Sequence, residues 1–165
     1  MHVSFLPYST GHHMKLSLSV RVAEAACKTR LHLPLEALID VAVENGYDAL
    51  CMRASCGGVQ TPNAELQRQA NLIQDAGLAV SMVTADFDVP LNNQDGPNSL
   101  RDIRPSLDVA GTFGCNLIRI CMKEQADVAH AANAIQIAHE QGIRSLPPPR
   151  LCLSGSRSAS GSLSP

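Results

Sequence analysis

The phrase that most constrains this chain is a helix that stops at a glycine and turns at once into a short aliphatic strand. It occurs four times. In Ala70–Asp86 an amphipathic run ends at Gly77, and Leu78–Val83 follows as a buried strand. Val41–Arg53 passes through Gly46 into Tyr-Asp-Ala-Leu-Cys-Met-Arg, and Asp108–Met122 passes through Gly114 into Cys-Asn-Leu-Ile-Arg-Ile-Cys-Met. Ile135–Leu146 passes through Gly142 into Ile-Arg-Ser-Leu, and there the pattern falters. Glycine suits each joint because the residue after the last helical turn takes a left-handed conformation that burdens any residue with a Cβ. Helices alternating with short apolar strands imply parallel strands joined by crossovers. The four glycines are 31, 37 and 28 residues apart. A (β/α)8 barrel spends roughly 250 residues on eight units, or about 31 on each. A flavodoxin-like or Rossmann sheet is the rival built from the same units. The expected fold is α/β: a partial (β/α)8 TIM barrel of about four βα units with parallel strands, followed by an irregular C-terminal tail.

Taken in order, residues 1–13 match no element and read as an N-terminal extension, with Met14 as a candidate start. Leu16–Val20 alternates Leu, Leu and Val with Ser as a first strand, and Arg21–Leu33 is a long loop at its C-terminal end. Pro34 opens a helix whose inner face is Leu35, Leu38, Ile39, Ala42 and Val43. A second strand runs over Asp48–Met52. Thr61-Pro62 then starts a helix to Ala76 with Leu66, Ala70 and Ile73 inward. The third strand ends near Thr84, and Ala85–Asn98 is the longest loop. The next helix begins near Ser99 and restarts at Pro105, where proline removes a donor. A fourth strand covers Asn116–Cys121, and a last helix covers Glu124–Gln141 with Val128, Ala131, Ala132, Ile135 and Ala138 inward.

Composition narrows the function. A net charge of −2 and 3% aromatic residues without Trp give no footprint for nucleic acid or an anionic membrane. No segment has the length of a membrane span and the N-terminus lacks a secretory core, so a soluble cytoplasmic protein is expected. Six cysteines form no C-x-x-C pair. Cys51, Cys115 and Cys121 fall in or beside strands, Cys27 and Cys56 in loops, so reduced thiols are expected rather than zinc or disulfides. His12 and His13 lie on the N-terminal extension, His32 has no partner nearby in sequence, and His130 and His139 are too far apart for an i,i+4 metal pair. Glu36, Asp40 and Glu44 form a solvated acidic row. Gly57-Gly58 reads as a loop pair and not as a phosphate-binding motif.

Residues 145–165 change character. Seven of these 21 residues are Ser, and Asp and Glu are absent. The segment is expected to be a flexible Ser/Pro-rich tail. A fifth strand that has just begun at Gly142-Ile143-Arg144 should not dissolve into such a tail, which suggests a frameshift that replaced the second half of a barrel.

The first strand Leu-Ser-Leu-Ser-Val, the run Leu35–Arg53, Gly77-Leu-Ala-Val-Ser-Met-Val and Gly114-Cys-Asn-Leu-Ile-Arg-Ile together resemble the xylose isomerase-like TIM barrel superfamily, the sugar phosphate isomerases and epimerases. The resemblance covers residues 14–144, the N-terminal half of a family barrel. It implies a metal-dependent enzyme that moves a proton next to a sugar carbonyl. Intact relatives hold a divalent metal (Mn, Mg, Co or Zn) with Glu, Asp, His and Glu from strands five to eight. None of those ligands carries over, since no carboxylate and no histidine follows Glu140. The resemblance therefore implies no catalytic and no metal-binding residue in this chain, and a truncated, inactive product.

Substrate-side contacts remain. Barrel sites lie at the C-terminal ends of strands, where the chain offers Arg21, Arg53, Asp86 and Arg119. Arginine forks suit the oxyanions of a sugar phosphate or carboxylate, so the expected partner is a small-molecule sugar or sugar phosphate. A non-catalytic half-barrel that forms a homo-oligomer through exposed strand edges, or binds a small ligand, is the alternative. An abasic-site endonuclease of the same fold is weaker, because that family takes zinc-ligating histidines from early strands where Arg53 and Asp86 stand. Resequencing the gene from the Ala138 codon is expected to reveal an alternative frame that restores Glu, Asp, His and Glu about one unit apart. Stops in every frame soon after Pro165 would rule the frameshift out.

Overall fold

The computed structural model of the chain describes residues 14–85, 98–122 and 125–146. The proposed extension (with His12 and His13) and the tail beyond 146 lie outside them. Five parallel strands form one sheet in sequence order: β1 (Ser17–Ser19), β2 (Ala49–Arg53), β3 (Ala79–Thr84), β4 (Leu117–Arg119) and β5 (Arg144–Leu146). Helices α1 (Leu35–Glu44), α2 (Asn63–Asp75), α3 (Asn98–Arg101), α4 (Arg104–Thr112) and α5 (Asp127–Glu140) fill the crossovers. Consecutive parallel neighbours with a helix between each pair are the first strands of a barrel and not a doubly wound sheet, whose order reverses at a switch point. β5 pairs with β4 through Leu146, so the sheet passes the expected boundary at residue 144.

Four of the helices end in the same way. Gly46, Gly77, Gly114 and Gly142 have φ of 70°, 76°, 62° and 71°. The residue after each glycine donates its backbone N–H to a carbonyl five positions back: Tyr47 to Ala42, Leu78 to Ile73, Cys115 to Ala110 and Ile143 to Ala138. Each glycine N–H in turn donates to the carbonyl three back. These are four Schellman caps. The residues whose carbonyls accept these bonds, Ala42, Ile73, Ala110 and Ala138, are all buried. The cap thus fastens the helix end at the point where it rests on the sheet, and the next strand leaves in a set direction.

Two apolar clusters lie between sheet and helices. Leu18, Leu50, Met52 and Val83 meet Leu35, Leu38, Ile39, Leu66 and Ile73, and Ile118 and Ile120 meet Leu100, Ile103, Leu107 and the alanines of α5. The restart expected at Pro105 is present, with α3 ending at Arg101 and α4 beginning at Arg104. Several expected inner positions differ. The first strand is shorter, since Val20 already begins a 3-10 turn over Val20–Ala23, and Leu16 is exposed. Val43 is exposed on α1, one step beyond the stripe that Ala42 closes. On α5 the buried stripe is Asp127, Ala131, Ala134 and Ala138, while Val128 and Ala132 face outward. The small alanines let this helix lie close to Ile118 and Ile120, and that close approach decides its rotation over the larger Val128. On α2, Ala70 is half-buried against the core as expected, and Gln69 is buried beside it; the Gln69 Nε2 donates to the Cys56 carbonyl at 3.0 Å and to Glu65 at 3.0 Å.

Gly77→Ala isolates the cost of the cap. A methyl group there meets no atom within 4 Å, so only the left-handed backbone resists it. A loss of about 1–2 kcal/mol is expected, read as a lower urea midpoint with an unchanged slope.

Candidate substrate-side site at the mouth of the half-barrel

Side chains alternate across each strand, and parallel register aligns the same face from strand to strand. With Leu18, Leu50, Met52, Val83 and Ile118 turned to the helices, the other face carries Ser17, Ser19, Cys51, Arg53, Thr84 and Arg119. This face is polar at both ends. A register shift between Leu50 and Cys51 places Ser81 on it as well; its Oγ lies 2.7 Å from that of Ser17 and 3.2 Å from the Leu50 carbonyl, to which it donates. At the C-terminal ends Arg53 stands beside Thr84, and Thr84 beside Arg119.

Arg53 is held from behind. Its Nε donates to Glu24 Oε1 at 2.9 Å, and Ser55 Oγ donates to the same oxygen at 2.6 Å. The Glu24 side chain is 5% exposed and that of Arg53 19%. Glu24 sits in the loop after β1, which doubles back through a bridge between Glu24 and Leu31. Burial pushes the Glu24 carboxyl up, but hydrogen bonds from Ser55 and Arg53 and the charges of Arg53 and Arg21 outweigh it and hold the group below the ordinary 4.5. The pair leaves the terminal Nη groups of Arg53 without hydrogen bonds to described residues. Arg119 is exposed, and among the described residues no carboxylate pairs with it. Burial raises the Cys51 thiol; a hydrogen bond with Ser19 and the charges of Arg53 and Arg119 oppose that rise. Thr84 is 3% exposed and its Oγ1 has no hydrogen-bond partner among the described residues, a state that costs about 1–3 kcal/mol.

Of the four sequence-derived contacts, the structure thus brings Arg53 and Arg119 together across Thr84. Arg21 is exposed in the turn after β1 and acts electrostatically on Glu24, away from that row. Asp86 lies outside the described residues. Sequence reasoning missed Glu24, Ser55 and Thr84. A signal for Glu24 was present: opposite charges follow neighbouring strands, at Glu24 after the first and Arg53 at the end of the second. Gly57 and Gly58 are packing residues, since a Cβ on Gly57 would stand 2.6 Å from Gln69 Oε1 and 2.9 Å from Phe113, and one on Gly58 2.8 Å from Ala54. Glu36 in the acidic row pairs instead with Arg68, at 2.8 Å. A separate cavity of about 360 Å³ opens between α2 and α4, where Thr61, Asn63 and Gln67 face Pro105 and Asp108; it lies between the helices and not over the sheet.

No family model matches the chain, and no curated protein does. Solved structures do. The chain is similar to a xylose isomerase-like TIM barrel protein from Mycobacterium smegmatis solved in complex with magnesium, at 15% identity and a TM-score of 0.60, over 81% of this chain and 54% of that one. The fold is that of the xylose isomerase-like TIM barrels. A D-psicose 3-epimerase solved in the presence of D-fructose is similar at 14% identity and a TM-score of 0.57, over 80% and 51%. An AP endonuclease of family 2 from Brucella melitensis follows at 11% and 0.50, over 80% and 54%. The chain spans about half the length of these xylose isomerase-like and related barrels.

A divalent metal does not fit the mouth as these residues form it. Among the described residues no three His, Cys, Asp or Glu side chains converge. The carboxylate there, Glu24, is committed to Arg53 and Ser55, and two guanidiniums would repel a dication. Glu24→Gln is expected to lower stability at pH 7 by roughly 1.5–3 kcal/mol, the range for a hydrogen bond to a charged group. The folded carboxyl titrates below its unfolded value, so its contribution is full above about 4.5 and vanishes as pH falls through the lowered value. Urea midpoints between pH 7 and pH 3 should therefore fall more steeply in the parent chain than in Glu24→Gln.

Proposed function

We propose that this chain is the substrate-side, N-terminal half of a sugar isomerase or epimerase barrel, and that it lacks the groups that move the proton. The observation that carries this reading is the character of the mouth: strand ends that offer guanidinium and hydroxyl donors, with the carboxylate withdrawn into an ion pair. Such a surface binds and orients an oxygen-rich small molecule. Removing a proton beside a carbonyl needs a base within reach of it. The resemblance puts the metal ligands and the acid–base pair of intact relatives on strands five to eight, and β5, Arg144–Leu146, carries no carboxylate. The thiols of Cys27, Cys51, Cys56 and Cys115 suit a reducing cytoplasm. No helix of the described residues is long and apolar enough to cross a membrane.

A second reading rests on the open sheet. Among the described residues β1 and β5 each have one strand neighbour, and an edge without a neighbour is a template for another copy. The endonuclease reading gains least, since the net charge of −2 supplies no general attraction for DNA.

Titration of the purified chain with D-fructose, followed by NMR and by sedimentation, tests these readings together. Shifts confined to the Arg53, Thr84 and Arg119 amides in a monomer are expected, with deuterium uptake beside the ketose carbonyl at the uncatalysed rate. Uptake above that rate would refute inactivity. A dimer whose amides do not respond to the ketose would replace the sugar-binding reading with self-association.

A further inference from the structure

We propose that the loop between β1 and α1 is a docking surface for an acidic segment of another protein, one with aliphatic residues among its carboxylates. It uses other residues than the row of Arg53, Thr84 and Arg119, and it goes beyond the sugar reading. Hydrogen bonds cross-link the backbone of this loop. Lys28 N–H donates to the Ala25 carbonyl at 2.8 Å, Ala25 N–H to that of Arg30 at 2.9 Å, and His32 N–H to that of Ala23 at 2.7 Å. Lys28 closes the turn with a left-handed φ of 59°. Ala23 and Ala25 are buried and anchor the base, while Ala26, Cys27, Lys28 and Arg30 are exposed at the tip. The shape of the tip is therefore set before any partner arrives, which lowers the ordering cost of binding.

Its charge is one-sided. Arg21, Lys28 and Arg30 are exposed, and among the described residues no carboxylate forms an ion pair with them. Glu24, the one carboxylate in residues 20–33, is taken by Arg53. Arg68 and Arg104, by contrast, each hold a carboxylate. Cys27 registers the local field: hydrogen bonds from Thr29, and then the Arg30 guanidinium, hold its thiol below the ordinary 9.0. In a chain of net charge −2, these cations are a local excess that a carboxylate-bearing partner neutralises. Two aliphatic side chains accompany them. Val22 is 69% exposed and Leu33 48%, at the two ends of the loop that the bond from His32 to Ala23 draws together. Charge recruits the partner, and Val22 and Leu33 give it apolar contact. A polyanion without apolar groups would leave both bare. Anionic membranes call for clusters of about 4–8 cations, more than this loop supplies.

The full 165-residue chain is titrated into a fluorescein-labelled peptide of Glu-Glu-Leu repeats, and binding is read as anisotropy. The same peptide with Gln for every Glu, a heparin fragment and phosphatidylserine vesicles are the comparisons. The acidic peptide is expected to bind about tenfold or more tightly than its Gln counterpart, and to weaken about tenfold as NaCl rises from about 50 to about 300 mM. Lys28→Asn and Arg30→Gln should each weaken it roughly three- to fivefold, and Val22→Ser with Leu33→Ser about fivefold. All four side chains are exposed, and Asn accepts the left-handed backbone of position 28, so thermal midpoints should stay at the parent value. No binding of the acidic peptide, or affinities within about 1.5-fold of the parent in every variant that keeps its midpoint, would overturn the docking surface. Heparin or vesicles that bind more tightly than the peptide, with no response to Val22→Ser and Leu33→Ser, would also overturn it and assign the loop to a polyanion or a lipid surface.

Discussion

Each long helix is stopped by two hydrogen bonds around a left-handed glycine, and the geometry of the strand that follows is set by that stop. The donor beyond the glycine reaches back over a full turn, to Ala42, Ile73, Ala110 or Ala138. Those residues are pressed against the sheet. A helix fastened at that point can swing little, so the chain re-enters the sheet beside its predecessor, four times in succession. Parallel order β1 to β5 follows from repetition of one local device. The layered core then needs only aliphatic residues of the right size on facing stripes.

That device is local in sequence, and for that reason it was legible. Glycine after a periodic apolar run, then a short aliphatic segment, is visible without knowledge of distant contacts, and so is the break at Pro105. The face of a helix is less legible when its apolar residues are spread around it. On α5 periodicity favoured the larger Val128, yet Ala134 beside Ala131 and Ala138 allows closer approach to Ile118, and packing chose the smaller side chains. Asp127 on the same buried stripe ran against hydrophobic patterning altogether.

At the mouth, legibility divides along the same line. Strand ends are predictable, so Arg53 and Arg119 could be placed from the sequence. Their environment depends on residues that only the sheet brings together. Glu24 reaches Arg53 across 29 positions, and Ser55 joins it from the next loop. Thr84 looked like the terminal residue of an apolar strand; register alone reveals that it stands between two cations. At identities of 11–15% the solved barrels share a fold with this chain and no more, and the residues of this mouth act by their own chemistry.

The inner face of the sheet carries one more consequence. Barrel interiors are ordinarily filled by branched aliphatic side chains in layers, and a sheet bearing such a face must find its other half or precipitate. Here Ser17, Ser19 and Ser81 stand among Ala49, Cys51 and Met82 in the lower rows, and Arg53, Thr84 and Arg119 stand at the top. Such a face is more polar than a layered aliphatic interior, and water wets its hydroxyls and guanidiniums at less cost.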